Sequence, residues 1–373
     1  MINRRTFTRA VGLGTGAAAV SLTGLQSTAS AARGAGGEYG VNGADAAATA
    51  HAPGGTPTPA TITLPAVTPG THTAFPALKR VRAGVLDIGY AEAGPAHGPA
   101  VLLLHGWPYD IHSYVDVAPL LADQGYRVIV PYLRGHGSTR FLSRRTPRTA
   151  EQSAVALDIV GLMDALKIEK AVLAGFDWGS RTADIIAALW PERVKALVST
   201  GGYLITNRKA QQEPAAAAVE HNWWYQWYFA TERGKKAMEN VDERIALCRY
   251  VWTLVSPTWD FGDATFQRTA QAFMNPDYAA IVLYNYRWRI GLIETDRRYS
   301  RYEAQLAAQP PIGVPAITLD PALDPFTPAG DGSAYRDHFT GRYEHRTLAR
   351  TGHNLPQEAP TAFAQAVVDA DRL

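Results

Sequence analysis

Short runs of apolar residues alternate with amphipathic stretches along most of this chain. The apolar runs predict buried strands, and the stretches with apolar residues at helical spacing predict helices between them. Strands that alternate with helices are typical of a mostly parallel sheet with right-handed crossovers. The predicted strands are 85–93, 100–104, 126–132, 171–174, 194–200, 315–319 and 344–349, and helices are predicted at 113–122, 150–166 and 359–370.

The alternation stops between residues 203 and 310, where the pattern is helical throughout and rich in aromatic residues. Because the α/β pattern resumes afterwards, this segment is an insertion into one domain. The core therefore has two predicted parts, residues 76–202 and 311–373. We expect the insertion to form a lid over the carboxyl ends of the strands, where open sheets bind ligands. Six of the nine tryptophans lie in it: Trp223, Trp224, Trp227, Trp252, Trp259 and Trp288.

The first 31 residues have the features of an export signal. Arg4 and Arg5 precede a weakly apolar stretch, which ends in small residues suited to cleavage at 29–31. This order predicts export by the twin-arginine machinery and a location outside the cytoplasm, either extracellular or periplasmic. The apolar stretch is too short to span a bilayer, so we expect no stable membrane anchor. Residues 32–75, rich in Ala, Gly, Pro and Thr, are predicted to form a disordered linker.

Composition narrows the classes of function. Hydrophobic residues make up 46% of the 373 and charged residues 19%, which is enough for a sizeable core. A formal net charge of +2 gives no argument for nucleic acid as a partner. The single cysteine, Cys248, excludes an intrachain disulfide and a cysteine-rich metal site. No grouping of histidines and carboxylates has the spacing of metal ligands, so no metal is expected.

An aspartate stands in a sharp turn between the strand at 171–174 and the helix that follows it. Gly175 and Gly179 bracket Asp177 in the pattern G-x-D-x-G. This is the sequence of a nucleophile elbow, which usually carries serine, and we expect that a Cβ at either glycine would collide with the nucleophile. A carboxylate with a pKa of about 3.9 is already an anion near neutral pH. It can displace a leaving group at a saturated carbon and form an alkyl ester on the enzyme.

The partners of such a nucleophile follow it in the chain, first an acid and then a histidine. His353 lies just past the last predicted strand, where the base is expected. Asp320 and Asp324 both follow the strand at 315–319. We prefer Asp324, which lies further into the loop, and interpret Asp320 as a turn-forming residue. Some relatives carry this acid after the preceding strand, but residues 199–207 contain no carboxylate here, which strengthens the choice of Asp324.

Two backbone amides are expected to stabilise the oxyanion that forms when the ester is attacked. One belongs to Trp178, directly after the nucleophile, and the other to Trp107, after the strand at 100–104. His105 and His136 are interpreted as structural loop residues, because His353 already fills the role of base.

Three motifs together resemble the α/β-hydrolase-fold epoxide hydrolases, from about residue 78 to the end of the chain. They are His105-Gly-Trp-Pro108, Gly175-Phe-Asp-Trp-Gly179 and Gly352-His353. The resemblance implies a mostly parallel eight-stranded sheet flanked by helices, with an inserted helical lid. It also implies two lid tyrosines that hydrogen-bond the epoxide oxygen. The matching contexts are Tyr225-Gln-Trp-Tyr-Phe229 and Tyr284-Asn-Tyr-Arg287, so Tyr225 and Tyr286 carry over.

The implied reaction is hydrolysis of a small, apolar epoxide to a vicinal diol, with water as co-substrate and no cofactor. Haloalkane dehalogenases share the aspartate nucleophile and the following tryptophan, so dehalogenation is the first alternative. Hydrolysis of an ester or a lactone is the second. A binding protein on a hydrolase scaffold is the third, and turnover would separate it from an enzyme.

Overall fold

The computed structural model describes residues 62–373 of the chain. The predicted export signal, residues 1–31, lies outside the described residues, and so does the predicted linker up to residue 61. Among the described residues, no helix combines the length and the apolarity that crossing a membrane requires.

The core is a nine-stranded sheet with the order β1-β2-β4-β3-β6-β7-β8-β9, and β5 lies beside β2. Pairing is parallel from β4 to β9, whereas β2 pairs with β1, β4 and β5 in antiparallel orientation. The predicted fold class is confirmed. The pattern predicted seven of these nine strands and missed β1 and β5, whereas the resemblance implied eight. Strand β5, with two residues, is too short to give a sequence pattern. The strands are β1 Leu78–Ala83, β2 Leu86–Ala93, β3 Ala100–Leu104, β4 Arg127–Pro131, β5 Arg140–Phe141, β6 Ala171–Gly175, β7 Val194–Thr200, β8 Ala316–Pro321 and β9 Tyr343–Leu348.

Twelve α-helices are present in the described part of the chain. The predicted helix at 113–122 begins later, at Val117, because a short 3-10 turn capped by the Asp110 side chain occupies Ile111–Tyr114. The helices are α1 Val117–Asp123, α2 Gln152–Ala165, α3 Trp178–Leu189, α4 Ala217–Asn222, α5 Trp224–Ala230, α6 Glu232–Glu239, α7 Val241–Val255, α8 Gly262–Ala270, α9 Tyr278–Arg289, α10 Ser300–Ala307, α11 Leu355–Glu358 and α12 Pro360–Ala370.

The hydrophobic core lies on both sides of the central strands. Nearly every residue of β3, β6 and β7 is buried, which is why these strands consist of apolar runs instead of alternating patterns. Helices α2 and α3 contact each other, as do α1 and α12, and both α3 and α12 contact β6 and β7. The carboxyl ends of β3, β6 and β8 meet at the same edge of the sheet, where the predicted site residues follow them.

Helices α4–α10 form a helical insertion between β7 and β8. Polar side chains attach it to the core: the Trp252 indole N–H donates to the Pro108 carbonyl at 2.8 Å, and the Asn285 amide donates to the Ala150 carbonyl at 2.7 Å. The Asn275 amide lies 2.7–3.2 Å from the carbonyls of residues 136, 137 and 139. The insertion is therefore held in one position against the strand ends.

Residues 62–75, the described end of the predicted linker, contact the core at several points. Leu64 is only 4% exposed, and its N–H donates to the Gln365 side chain at 2.9 Å. The Asp116 carboxylate accepts the N–H groups of Gly70 and His72 at 2.7 Å. The composition of the segment does not predict these contacts, because its backbone N–H groups donate to a few side chains of the core.

Two helical glycines differ in the room around them, and the difference gives a test of the fold. A Cβ added at Gly179 in α3 would lie 1.8 Å from the Leu104 carbonyl oxygen, whereas one at Gly161 in α2 would meet nothing closer than 3.7 Å. We expect Gly179→Ala to lower the free energy of unfolding by at least about 2 kcal/mol, because β3 and α3 must separate. Gly161→Ala should leave it unchanged or raise it by up to about 1 kcal/mol through helix propensity.

Chemical denaturation followed by circular dichroism measures both changes. Equal stability of the Gly179→Ala and Gly161→Ala proteins would contradict the close approach of α3 to the end of β3.

Candidate active site

The turn between β6 and α3 places Asp177 in a strained backbone conformation, with φ 53° and ψ −121°. A residue other than glycine rarely adopts this left-handed region, and such strain is concentrated at functional sites. The neighbouring glycines are required for a reason that differs from the prediction. A Cβ at Gly175 would collide with the backbone of Gly179, and one at Gly179 would collide with Leu104. It is Gly106, at the end of β3, whose Cβ would strike the Asp177 side chain, at 2.5 Å.

His353 lies between the two carboxylates that the sequence had singled out. Its Nδ1–H donates to Asp324 Oδ2 at 2.6 Å, and its Nε2 lies 3.6 Å from Asp177 Oδ2. The other oxygen of Asp324 accepts the N–H of Phe326 at 2.8 Å, which fixes the carboxylate. The structure thus brings together the predicted nucleophile, acid and base.

Asp320 is engaged elsewhere. It lies within β8, and its carboxylate accepts the Tyr335 hydroxyl at 2.9 Å and the Gly330 N–H at 3.1 Å. It therefore stabilises the loop after β8, and Asp324 is the acid that reaches His353.

The loop after β3 supplies one of the two predicted amides. The Trp107 N–H donates to Asp177 Oδ1 at 2.7 Å. The Trp178 N–H is the first amide of α3, one of the amides that a helix leaves without a helical acceptor. Oδ1 of Asp177 thus lies where an oxyanion would be stabilised, and Oδ2 remains to attack a substrate.

His105 and His136 are buried and support this loop. His105 Nδ1–H donates to the Gly106 carbonyl at 2.9 Å, and its Nε2 accepts the Leu133 N–H at 3.1 Å. Burial lowers the pKa of His105 far below its ordinary value and lowers the pKa of His136 to about 4. Both rings are therefore neutral near pH 7.

The two predicted tyrosines lie above the nucleophile. Tyr225 on α5 and Tyr286 on α9 have ring centroids 5.3 Å apart, and each packs on the Trp107 ring. Tyr225 lines a cavity together with Asp177, whereas Tyr286 lies behind it, against Trp178. Burial raises the pKa of both phenols, and the charge of Asp177 raises it further, so both hydroxyls keep their protons.

Charge pairing sets the protonation of the site. Burial alone would lower the pKa of His353, but the carboxylates of Asp324 and Asp177 outweigh burial and raise it to about 10. Burial would likewise raise the pKa of Asp177, but hydrogen bonding to His353 and its charge lower it below the ordinary value. At neutral pH, His353 is therefore an imidazolium between two carboxylates.

The cavity in front of Asp177 has a volume of about 380 Å³ and contains two arginines that the sequence analysis did not select. Arg181 follows Asp177 by one turn of α3, and Arg289 ends α9. Arg181 could have been noticed as a charged residue within a buried helix. Arg289 gave no signal, because only the fold brings it to the cavity. The cavity lining also includes Thr200, Tyr203, Thr206, Asn207, Gln211, Trp223 and Phe326.

Both tryptophans of the predicted oxyanion site have indole nitrogens that are buried without a hydrogen-bond acceptor in the described part of the protein. These are Nε1 of Trp107 and Nε1 of Trp178. An unsatisfied buried N–H is costly, so each is available to a ligand.

With the geometry established, comparison with known proteins identifies the family. Residues 99–355 match the family model described as alpha/beta hydrolase fold, and the chain therefore belongs to the α/β-hydrolase family. A crystal structure from Klebsiella pneumoniae subsp. pneumoniae MGH 78578, presented as a candidate epoxide hydrolase, is 56% identical. It has a TM-score of 0.78, and the match covers 80% of this chain and 99% of that one.

Two proteins named epoxide hydrolases extend this result. Epoxide hydrolase 3 of Siraitia grosvenorii is 41% identical over 113 residues, 30% of this chain and 35% of that protein. The aligned region thus spans about a third of that relative. Potato epoxide hydrolase I is 20% identical with a TM-score of 0.63, covers 79% of this chain and 98% of its own, and shows a shared fold. The predicted resemblance to epoxide hydrolases is confirmed.

The pairing of His353 with Asp177 gives a test by titration. We expect His353 to titrate near pH 10 in the native protein. Asp177→Asn removes a negative charge 3.6 Å from Nε2 and should lower this midpoint by about one unit or more, which corresponds to ~1.4 kcal/mol. NMR of histidine-labelled protein measures the midpoint, with the His353 signal assigned by its loss in His353→Gln.

Asp123→Asn is the matched control, since Asp123 is an exposed carboxylate at the end of α1. An unchanged His353 midpoint in Asp177→Asn would show that the two side chains are not electrostatically coupled.

Proposed function

We propose that this enzyme hydrolyses an epoxide to a vicinal diol through an ester on Asp177. The observation that carries the proposal is the placement of a carboxylate nucleophile and a protonated phenol, Tyr225, in the lining of one cavity. A carboxylate attacks carbon, and a phenol donates a proton to the oxygen that leaves. An epoxide needs both, because its leaving oxygen stays attached to the product and must be protonated.

In the first step, Asp177 Oδ2 forms a bond to one ring carbon while the bond from that carbon to the ring oxygen breaks. Tyr225, with Tyr286 behind it, hydrogen-bonds the ring oxygen and supplies a proton as charge develops there. Trp107 keeps Oδ1 of the carboxylate in place through its N–H, so that Oδ2 is directed at the substrate.

The second step follows from the loss of charge in the first. Esterification makes Asp177 neutral and removes the anion beside His353 Nε2, so the pKa of His353 falls. The imidazolium then gives up its proton, which returns through solvent to the phenolate that Tyr225 became in the first step. The neutral imidazole, oriented by Asp324, then removes a proton from water, and the water oxygen attacks the ester carbonyl.

The amides of Trp107 and Trp178 stabilise the resulting oxyanion. As the oxyanion collapses, the bond from Cγ to the alkyl oxygen breaks and that oxygen takes the proton from His353. The diol leaves, and the regenerated Asp177 carboxyl group gives its own proton to His353, which restores the starting charges.

We also propose that the enzyme acts after export and that its helical insertion acts as a lid. The paired arginines and small-residue cleavage site support export. The position of α5 and α9 over the nucleophile supports a lid, since these helices supply Tyr225 and Tyr286.

In this mechanism His353 acts only in the second step, so a His353 variant tests the mechanism. His353→Gln should form the ester normally but hydrolyse it slowly, so the protein mass should increase by the mass of one epoxide. Intact-protein mass spectrometry after incubation with styrene oxide measures the adduct. Asp177→Asn is the control, because it lacks the nucleophile and should gain no mass.

A His353→Gln protein that stays unmodified while native protein turns over the same epoxide would contradict an ester intermediate.

Dehalogenation is a second candidate, favoured by the two unsatisfied indole N–H groups of Trp107 and Trp178. Such groups suit a halide leaving from carbon. Comparison of halide release from 1-bromobutane with diol formation from 1,2-epoxybutane decides between the two. We expect the larger kcat/KM for the epoxide, and the reverse order would assign the enzyme as a dehalogenase.

A further inference from the structure

Two arginines of the active-site cavity have few partners within the protein. Arg181 is only 7% exposed, and its single recorded hydrogen bond runs from Nε to the Leu204 carbonyl at 3.2 Å. Arg289 has a buried Nε without an acceptor, and its guanidinium lies 5.7 Å from the centroid of the Tyr286 ring. Neither guanidinium forms an ion pair within 4.0 Å with any carboxylate in residues 62–373.

Arg134 shows how this protein satisfies a buried arginine that has a structural role. Two of its nitrogens bond both oxygens of Asp158, at 2.6 and 2.8 Å, and the remaining donors bond the carbonyls of Thr149 and Ala154. A buried charge without such partners is costly, and it is retained where a ligand supplies them. The free donors of Arg181 and Arg289 therefore indicate a binding site for an anion.

The charges around the two arginines agree with this interpretation. Burial and the proximity of Arg289 lower the pKa of Arg181 to about 10, so it is a cation at neutral pH. The negative charge of Asp177 lies 3.6 Å from His353 Nε2 and also acts on Arg181, whose pKa it raises without forming an ion pair within 4.0 Å. Asp184, one turn along α3 from Arg181, instead accepts the Leu204 N–H at 2.7 Å, and burial raises its pKa to about 7. The charged residues that line the cavity are three cations, Arg181, Arg289 and His353, and two carboxylates, Asp177 and Asp324, so the cations outnumber the anions.

We propose that Arg181 and Arg289 bind a carboxylate of the substrate, so that the enzyme prefers epoxy acids to neutral epoxides. The proposal rests on the proposed function and replaces the apolar substrate expected from the sequence. Two planar guanidinium groups match the two oxygens of a carboxylate. Neutral donors such as Asn207 and Gln211 line the same cavity. Its aromatic residues Tyr203, Trp223 and Phe326 leave space for an apolar body between the acid and the ring.

The test compares 3-phenylglycidate with 3-phenylglycidamide, which differ in the charged group alone. We expect the native enzyme to have a kcat/KM at least ten times larger for the acid. Arg289→Gln should lower the value for the acid about 10- to 100-fold, the range that loss of a charged hydrogen bond gives, and change the value for the amide less than threefold. Arg233→Gln, which removes an exposed charge from α6, should change neither.

Equal rates for acid and amide, or an equal loss for both in Arg289→Gln, would overturn the proposal. Arg289→Lys covers the case in which Arg289→Gln does not fold, as judged by circular dichroism. Lysine keeps the positive charge but lacks the planar guanidinium group, so this variant should lower kcat/KM for the acid more than kcat/KM for the amide.

Binding measured without turnover separates this proposal from the proposed function. Calorimetry of the Asp177→Asn protein with 3-phenylpropionate and 3-phenylpropionamide reports the anion site alone. Binding of the acid that Arg289→Gln weakens, in an enzyme that hydrolyses no epoxide, would support the anion site and reject epoxide hydrolysis. Hydrolysis of neutral epoxides without preferential binding of the acid would reject the anion site and leave epoxide hydrolysis standing.

Discussion

The close approach of the β3 end to the turn after β6 is the constraint on which the site depends. Gly179 lets α3 lie directly against the Leu104 carbonyl, and Gly106 leaves room for the Asp177 side chain. At this separation, the Trp107 N–H reaches Asp177 Oδ1 at 2.7 Å. This hydrogen bond fixes the Asp177 carboxylate and distinguishes its two oxygens, which is what the proposed roles as nucleophile and oxyanion site require. The strained φ of Asp177 persists because parallel strands on both sides of β6 hold the turn.

The charges of the buried site account for the two steps of the proposed mechanism, in which His353 is first a cation and then a base. While Asp177 is an anion, His353 is held as its cation and cannot act as a base. In the proposed mechanism, formation of the ester removes the negative charge that keeps His353 protonated, so His353 can act as a base in the second step. The two arginines extend the same principle to the substrate: a cavity with unpaired cations favours a ligand that brings an anion, and such a ligand would be oriented before the chemistry begins.

Much of the fold and of the central triad could be predicted from local sequence. Buried strands are continuous apolar runs, and the G-x-D-x-G turn and His353 follow strands directly, so their positions at the edge of the sheet could be inferred. Asp324 could be chosen over Asp320 because it lies further into the loop after β8. The cavity wall could not be predicted, because Arg289 belongs to an insertion whose packing depends on side chains such as Trp252 and Asn285. The contacts of residues 62–75 with the core could not be predicted for the same reason.

The central claim is that an oxygen atom of Asp177 itself enters the product, and a single turnover in heavy-oxygen water tests it most directly. With enzyme in excess over epoxide, the account predicts a diol that contains only ordinary oxygen, while the heavy oxygen appears in the Asp177 carboxylate. Mass spectrometry of the diol and of the peptide that contains Asp177 measures both. A diol that carries the heavy oxygen in its first turnover, with an unlabelled Asp177, would mean that water attacks the epoxide directly and would contradict the account.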